Sequence, residues 1–278
     1  MSEMHRRQFL GGGLAAAAGL IVGGSATGAR ASEASDSSAV DAAKTQAMPT
    51  AIIDEVTGPN ADGEIRLPEL GFEADSGPYA PQLDWKLFDA HYSRHHKGHV
   101  KRLNSALKEY DGLRKKGVEY LVRNVKTIPS AIRRQVRNHG GAHLNHTLYW
   151  RNLQPAGVSK PSTEFVRALG KSRMSFEMMC DQFFAPNLFG SGWSFIVVDV
   201  GGKLATTTTK NEDSPLMDGL IPIAALDLWE HAYTAQYHDR RREYLDAMRR
   251  LIDWKKVSER HSAAVALQAA SAKDDAAK

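Results

Sequence analysis

The residues best suited to chemistry in this chain of 278 residues are its eleven histidines, because only one cysteine accompanies them. That cysteine, Cys180, excludes an internal disulfide framework and a cysteine-based zinc cage, and we expect it to be a small buried hydrophobe. Asp227 and His231 are four residues apart, a spacing that stands out as a possible site. In a helical turn both side chains would lie on one side, and a carboxylate beside an imidazole suits a divalent or trivalent transition metal. Alternatively, Asp227 simply caps a helix.

A metal ion would need further ligands from other parts of the chain. Leu83–Tyr110 and Ser130–Leu153 carry apolar residues at three- and four-residue spacing, which predicts two helices paired as an antiparallel hairpin with a short connector. His91 lies on the first helix and His146 on the second, so antiparallel packing can bring them to the same ion. Three histidines and one aspartate would leave one coordination position open for solvent or substrate.

The second half of the chain changes from helical to strand periodicity. Ser194–Val200 and Lys203–Thr209 are β-branched runs on either side of a Gly-Gly pair, which predicts a β-hairpin. Leu220–Leu226 is a third predicted strand, and further helices are expected over Ser162–Phe184 and Tyr233–Trp254. Helices, then a small sheet, then a helix indicate the α+β class.

The N-terminus carries a pair of arginines, Arg6-Arg7, followed by a Gly/Ala-rich run and the sequence Ala29-Arg30-Ala31. This pattern resembles a twin-arginine export signal and predicts a periplasmic or extracellular protein, the alternative being a basic first helix. The rest of the chain has no apolar run as long as a membrane span, and a net charge of +4 is too small to argue for nucleic-acid binding. Composition and periodicity predict five parts: an export signal 1–31, a linker or extended arm 32–66, a helical hairpin domain 67–155, a C-terminal α/β domain 156–262 and a low-complexity tail 263–278.

Four segments occur in the order and approximate spacing of the iron/manganese superoxide dismutase family, which the chain resembles from about Leu67 to His261. These segments are Asp89–His96, Asn145–Trp150, Phe189–Trp193 and Asp227–Tyr233. The resemblance implies four protein ligands for one iron or manganese ion per subunit: His91, His146, Asp227 and His231. It also implies an N-terminal antiparallel helical hairpin plus a C-terminal α/β domain with a three-stranded antiparallel sheet, and the metal between them. The expected reaction converts superoxide to dioxygen and hydrogen peroxide by one-electron cycling of the ion.

The same resemblance implies roles for residues around the ligands. Glu230 would reach His231 of a partner subunit in a homodimer or a dimer of dimers. His95 would stand in the access funnel, and His143, three residues before a ligand, favours manganese over iron, the alternative being a packed core histidine. An aromatic wall would surround the metal, formed by Tyr149, Trp150, Trp193 and Trp229.

The chain departs from the family near the expected metal. His99 takes the place of a tyrosine that relays protons, and Thr234 takes the place of a tyrosine that bonds the funnel histidine of the partner subunit. The family also has a glutamine whose amide donates to solvent on the metal, and the two places where it occurs hold Ala142 and Glu212. A neutral Glu212 could still donate as the amide does, whereas an ionised carboxylate could not.

These replacements keep the ligand set and leave three functions open. The first is a superoxide dismutase in which His99, Glu212, His95 and Tyr149 serve the chemistry. The second is a protein of the same fold that stores or senses metal without fast turnover. The third is another redox enzyme, such as a peroxidase or a metal oxidase, with His99 and Glu212 as acid/base groups. Three further histidines, His5, His238 and His261, are expected to be packed or surface residues.

Overall fold

The computed structural model describes residues 63–70, 79–155, 157 and 159–276, with side chains as far as residue 269. The predicted export signal and most of the predicted arm lie outside these residues. Within them, no helix is long and apolar enough to cross a membrane. The structure confirms the α+β fold, with an N-terminal helical hairpin and a three-stranded antiparallel sheet in the C-terminal half.

Each arm of the hairpin contains a wider π-helical stretch between two α-helical parts. The first arm consists of α1 (Trp85–Asp89), the π segment Ala90–His96 and α2 (Lys97–Leu107). The Asp84 carboxylate begins it by accepting a hydrogen bond from the backbone N–H of Leu87 at 2.7 Å. Both π segments carry histidines, and π-bulges inside α-helices are frequent at functional sites.

The connector between the two arms differs from expectation. The connector is not a simple charged link, because it contains α3 (Asp111–Arg114), α4 (Val118–Arg123) and a 3₁₀ turn, Val125–Thr127. Val118, Leu121, Val122 and Val125 of the connector are buried, so they add to the core that the hairpin alone would leave open. The second arm then follows as α5 (Ser130–Gln135), the π segment Val136–Gly140 and α6 (Gly141–Arg151).

Two helices replace the single helix expected over Ser162–Phe184, so that prediction was wrong. They are α7 (Thr163–Lys171) and α8 (Phe176–Phe184). Arg173 between them adopts a positive φ of 55°, and the Ser175 hydroxyl accepts a hydrogen bond from the backbone N–H of Met178 to begin the next helix.

The sheet has the order β2-β1-β3, with β1 (Gly192–Val198) between β2 (Leu204–Lys210) and β3 (Ile221–Asp227). All residues of β1 and β3 are buried. Trp193 of β1 pairs with Asp227 of β3 in the antiparallel register. The sheet therefore carries Asp227 on a buried strand end, one residue beyond the predicted strand.

Two helices replace the single one expected over Tyr233–Trp254, and a third helix follows them. They are α9 (Thr234–Tyr237), α10 (Arg241–Arg249) and α11 (Trp254–Ala276). His238 has a φ of 56°, which ends α9. The Asp253 carboxylate accepts hydrogen bonds from the backbone N–H groups of Lys255 and Lys256, which begins α11. The segment predicted as a low-complexity tail is helical as far as Ala276, since alanine strongly favours helix.

A buried arginine joins the last helix to the hairpin and to the sheet. Arg260 of α11 donates to the side-chain oxygen of Asn152 at 2.9 Å and to the carbonyl of Ile223 at 2.8 Å. The Asn152 side chain in turn donates to the carbonyl of Ala225 at 2.7 Å. This network holds the end of α6 against β3, the two elements that carry His146 and Asp227.

Candidate metal centre

The structure brings together the four side chains expected to hold a metal. Their ligand atoms all lie within 4.8 Å of one another. One oxygen of Asp227, Oδ2, is 3.1 Å from His91 Nε2, 3.0 Å from His231 Nε2 and 3.6 Å from His146 Nε2. His91 comes from the first arm of the hairpin, His146 from the second, Asp227 from the end of β3 and His231 from the turn that follows it. Three imidazole nitrogens and one carboxylate oxygen therefore face one point.

The ring orientations fit a metal ion. His146 Nδ1 lies 2.7 Å from the carbonyl oxygen of Ala142, so it carries the proton and donates it there, which leaves the lone pair on Nε2. His91 Nε2 and His146 Nε2 are both buried and form no hydrogen bond. A buried nitrogen without a hydrogen bond is costly, and coordination to a cation removes that cost.

Asp227 and His231 are not on one helical turn, so the local structure expected from their spacing was wrong. Asp227 ends β3, and His231 lies in a 3₁₀ turn, Glu230–Ala232. The alternative prediction, that Asp227 caps a helix, is correct in part. Asp227 Oδ1 accepts a hydrogen bond from the backbone N–H of Trp229 at 2.9 Å, just before the 3₁₀ turn. That bond fixes the carboxylate, and its other oxygen faces the histidines.

Burial and mutual contact set the charges of the four groups. Burial by itself raises the pKa of Asp227, but His231 and His91 outweigh it and hold this pKa well below its usual range. Burial lowers the pKa of His91 and of His146, so both rings are neutral near pH 7, as metal binding requires. Burial also opposes protonation of His231, but the charge of Asp227 wins and raises its pKa.

Aromatic rings enclose the cluster on several sides. The ring of Trp150 lies 4.8 Å from that of His91, and the ring of Trp193 lies 4.8 Å from that of His146. Tyr149 lies 5.3 Å from His91, and its hydroxyl is 3.4 Å from that of Tyr244. Trp229 is the outermost of the four expected rings, 5.9 Å from His231 and partly exposed. These rings keep bulk water from the ligands and strengthen hydrogen bonds among them.

Glu212 is buried beside the cluster in the turn after β2. Its Oε2 accepts a hydrogen bond from Trp193 Nε1 at 3.0 Å. Burial, together with the negative charge of Asp227, raises the pKa of Glu212 to about 8. The Asn145 side chain of α6 anchors the turn by donating to the carbonyl oxygen of Asp213 at 3.1 Å.

His95 and His99 form a hydrogen-bonded row that leads away from the cluster. The ring of His95 stacks on that of His231 with centroids 3.7 Å apart, and His95 Nε2 is 3.2 Å from His99 Nε2. His99 Nδ1 is 3.1 Å from His139 Nδ1. Burial, helped by neighbouring histidines, lowers the pKa of His95 and of His99 to about 3.

Sequence reasoning missed two histidines of this region, His139 and His96. His139 precedes His146 by seven residues, two helical turns, and this spacing was a usable signal for a shared helix face. His96 is buried, and its Nε2 is 2.8 Å from Nδ1 of His143. His143 thus belongs to a buried imidazole pair beside the ligands, and burial lowers its pKa to about 4.

Glu230 and Thr234 lie on the exposed side of the site. Glu230 Oε2 accepts a hydrogen bond from the Ser191 hydroxyl at 2.9 Å. The Thr234 hydroxyl donates to the carbonyl oxygen of Glu230 at 2.8 Å, so this side chain is used within its own turn. The side chain of His231 is 20 % exposed, the largest exposure among the four residues of the cluster.

The fold and the cluster define a class of protein, a metalloprotein with a site for one ion between a helical hairpin and a small antiparallel sheet. Two family models match the chain: "Iron/manganese superoxide dismutases, alpha-hairpin domain" over residues 64–154, and "Iron/manganese superoxide dismutases, C-terminal domain" over residues 161–260. The chain belongs to the iron/manganese superoxide dismutase family.

Curated relatives agree with this assignment. The chain is 38 % identical over 192 residues to "Superoxide dismutase [Mn]" of Thermus thermophilus, which covers 68 % of the chain and 93 % of the relative. It is 40 % identical over 200 residues to the protein of the same name from Listeria innocua, covering 71 % and 98 %. It is 34 % identical over 225 residues to "Superoxide dismutase [Mn] 3" of Leptolyngbya boryana, covering 80 % and 92 %.

Proposed function

We propose that this protein is a superoxide dismutase that converts two superoxide ions and two protons to dioxygen and hydrogen peroxide. The observation that carries the proposal is the convergence of three imidazole nitrogens on one oxygen of Asp227, with two of the nitrogens buried and without hydrogen bonds. A bound iron or manganese ion supplies the one-electron oxidation and reduction of superoxide. Membership of the family and the names of the relatives support the same reaction.

Manganese is our proposal for the ion, one per subunit. The ligand set of three histidines and one aspartate suits either metal, so it does not decide between them. The relatives carry manganese in their names, and His143 stands at a position typical of the manganese type. Metal analysis of protein isolated from its native cells tests this choice, and one equivalent of iron with little manganese would contradict it.

The residues of this chain must deliver protons, because forming hydrogen peroxide consumes two of them. The row His95, His99 and His139 offers a path through two imidazole contacts of 3.2 and 3.1 Å. His139 lines a surface groove together with Lys101 and Arg102, so the outer end of the row meets solvent. We propose that a proton enters at His139, passes through the ring of His99 and reaches His95 beside His231.

Glu212 is the proposed proton-holding group on the other side of the cluster. Trp193 Nε1 fixes its Oε2, and the carboxyl group has a second oxygen that can hold a proton. Tyr149 is held between Tyr244 and the ring of His91, so its proposed role is to position His91 and exclude water. Ala142 acts only through its carbonyl, which orients His146.

We also propose a homodimer in which Glu230 reaches His231 of the partner subunit. Glu230 is exposed and accepts a hydrogen bond from Ser191. Phe189, two residues before Ser191, is a fully exposed aromatic side chain that a partner subunit could cover. Sedimentation of the wild-type protein and of Glu230→Ala tests this arrangement. A wild-type monomer at micromolar concentration would contradict it.

Export through the twin-arginine route is proposed from Arg6-Arg7 and the Ala29-Arg30-Ala31 sequence. The test is cell fractionation with N-terminal mass spectrometry. The wild-type protein should appear outside the cytoplasm without residues 1–31, and a variant with Arg6→Lys and Arg7→Lys should stay inside at full length. An uncleaved wild-type protein in the cytoplasm would contradict export.

Turnover of the metal-loaded protein, measured by pulse radiolysis, tests the central proposal. We expect decay of superoxide to be first order in enzyme and far faster than with the Asp227→Asn variant. Full metal occupancy with turnover many orders below the diffusion limit would overturn the proposal and favour a metal-storage or metal-sensing protein. If turnover is slow, Glu212→Gln shows whether the carboxylate is the reason. Faster turnover in this variant would identify the carboxylate as the cause of the slow reaction.

A further inference from the structure

A second group of ligand-type side chains lies beside the four-residue cluster. One ligand atom each from His95, His99 and Glu212 lies within 4.8 Å of the other two. The nearest measured pair, His95 Nε2 and His99 Nε2, is 3.2 Å apart. Two nitrogens bound to one ion at ~2.1 Å are separated by roughly 3.0–3.4 Å, so this pair already has the spacing of neighbouring ligands.

The donor set of this group has its own metal chemistry. Two imidazoles and one carboxylate bind zinc or another divalent transition ion and leave a further position open. The tyrosine and glutamine that the family has in place of His99 and Glu212 offer neither an imidazole nor a carboxylate. The two residues that depart from the family, His99 and Glu212, therefore lie close together in space. With His95 they complete a set of three ligand-type side chains.

Hydrogen bonds from neighbouring residues orient two of these three side chains, His99 and Glu212. His139 Nδ1 contacts His99 Nδ1 at 3.1 Å, which turns Nε2 of His99 toward His95. Trp193 Nε1 donates a hydrogen bond to Oε2 of Glu212, a residue that is only 7 % exposed. Hydrogen bonds of this kind, made behind the ligand atoms, orient side chains at metal sites.

We propose that His95, His99 and Glu212 form a second divalent-cation site, which can bind zinc(II), next to the four-residue centre. His95 stacks on His231 at 3.7 Å between ring centroids, so the two sites are direct neighbours. Repulsion between two nearby cations makes the second site the weaker one. Zinc(II) on these atoms would replace the hydrogen bond between His95 and His99, so zinc binding and the proposed proton path use the same groups and exclude one another.

The test uses the protein with manganese in its four-residue centre, dialysed against buffered zinc(II), with both metals counted per chain by mass spectrometry. We expect manganese to stay constant while one further equivalent of zinc binds. Crystals of the same sample should show a zinc anomalous peak between His95 Nε2, His99 Nε2 and the Glu212 carboxylate. Zinc that enters only as manganese leaves would overturn the proposal.

Variants separate this site from other histidines on the chain. Glu212→Gln keeps the size of the side chain and should weaken zinc binding at least about tenfold while manganese is retained. His99→Tyr should do the same and serves if Glu212→Gln fails to fold. The matched control is His238→Asn, which changes an exposed histidine and should bind zinc like the wild type. Wild-type zinc affinity in folded Glu212→Gln or His99→Tyr would overturn the proposal.

Discussion

The carbonyl oxygen of Glu212 lies only 2.1 Å from the position that a Cβ atom on residue 141 would take, and that residue is Gly141. The turn after β2 thus packs directly on the backbone of α6. Asn145, one helical turn further along, anchors the same turn through the carbonyl oxygen of Asp213. Glu212 is therefore placed by contacts of the hairpin with the C-terminal half, and a side chain at residue 141 would push it away.

Gly141→Ala should displace this turn and break the hydrogen bond between Glu212 and Trp193. We expect a loss of about 1–3 kcal/mol in the free energy of unfolding, because a methyl group is forced into a packed contact. Denaturant unfolding measures the loss, and a crystal structure measures the shift of Glu212. Gly170→Ala is the control, since α7 leaves open space at Gly170 and alanine there should stabilise by about 0.5–1 kcal/mol. Equal effects of the two changes would contradict the close packing.

Asp227→Asn tests the role of the one oxygen that three imidazoles face. The amide removes the negative charge while Trp229 keeps an oxygen to bind. We expect metal affinity to fall by at least about tenfold, since the change removes the only anionic ligand. Metal content after dialysis against a chelator measures this loss. Asp181→Asn, an exposed aspartate paired with Arg249, should keep its metal, and an Asp227→Asn variant that holds its metal as tightly as the wild type would contradict the need for this negative charge.

Removing the metal with a chelator should lower the thermal stability of the wild type. A ligand present at 100 times its dissociation constant stabilises the folded state by about 2.7 kcal/mol, and the apo protein loses that contribution. The apo protein also keeps His91 Nε2 and His146 Nε2 buried without hydrogen bonds. Calorimetry of both forms measures the difference. Identical unfolding temperatures would mean that the four residues hold no ion under these conditions.

The fold class and the helical hairpin could be predicted from the sequence. Both predictions depend on long periodic segments and on β-branched runs separated by a Gly-Gly pair. The end of β3 was harder to predict from the sequence. Aspartate is disfavoured in strands, so the predicted strand stopped at Leu226, yet Asp227 pairs with Trp193 in the sheet. The partner strand lies more than thirty residues away, beyond the reach of any local pattern.

The row of histidines shows a second limit of sequence reasoning. The spacing of His95 and His99 places them on one helix face, and the spacing of His139 and His146 does the same on the other arm. That His99 meets His139 depends on the rotation and offset of the two arms. Packing of the whole hairpin sets these quantities, and the π segments alter them in ways that a helical period does not predict.

Arg260→Met should cost more stability than any surface arginine. The change leaves the side-chain oxygen of Asn152 and the carbonyl oxygen of Ile223 buried without this donor. We expect a loss of about 2–6 kcal/mol, at ~1–3 kcal/mol for each of these two unsatisfied buried groups. Denaturant unfolding measures it, with Arg242→Met on the exposed face of α10 as the control that should stay within about 0.5 kcal/mol. A small loss in Arg260→Met would show that the network does not join α11 to the sheet in solution.

Cys180 gives a pH-dependent prediction without interference, because it is the only cysteine of the chain. Burial raises the pKa of its thiol to about 11, whereas an unfolded cysteine titrates near ~8.5. The native protein should therefore react slowly with a disulfide reagent at pH 8, and its rate should rise about tenfold per pH unit until the thiol ionises. Since the folded pKa is the higher one, this thiol contributes stability below about pH 8.5 and loses it as the pH rises toward 11. The unfolded protein in guanidinium is the reference and should react at once, and an equally fast reaction of the native protein at pH 8 would place Cys180 at the surface.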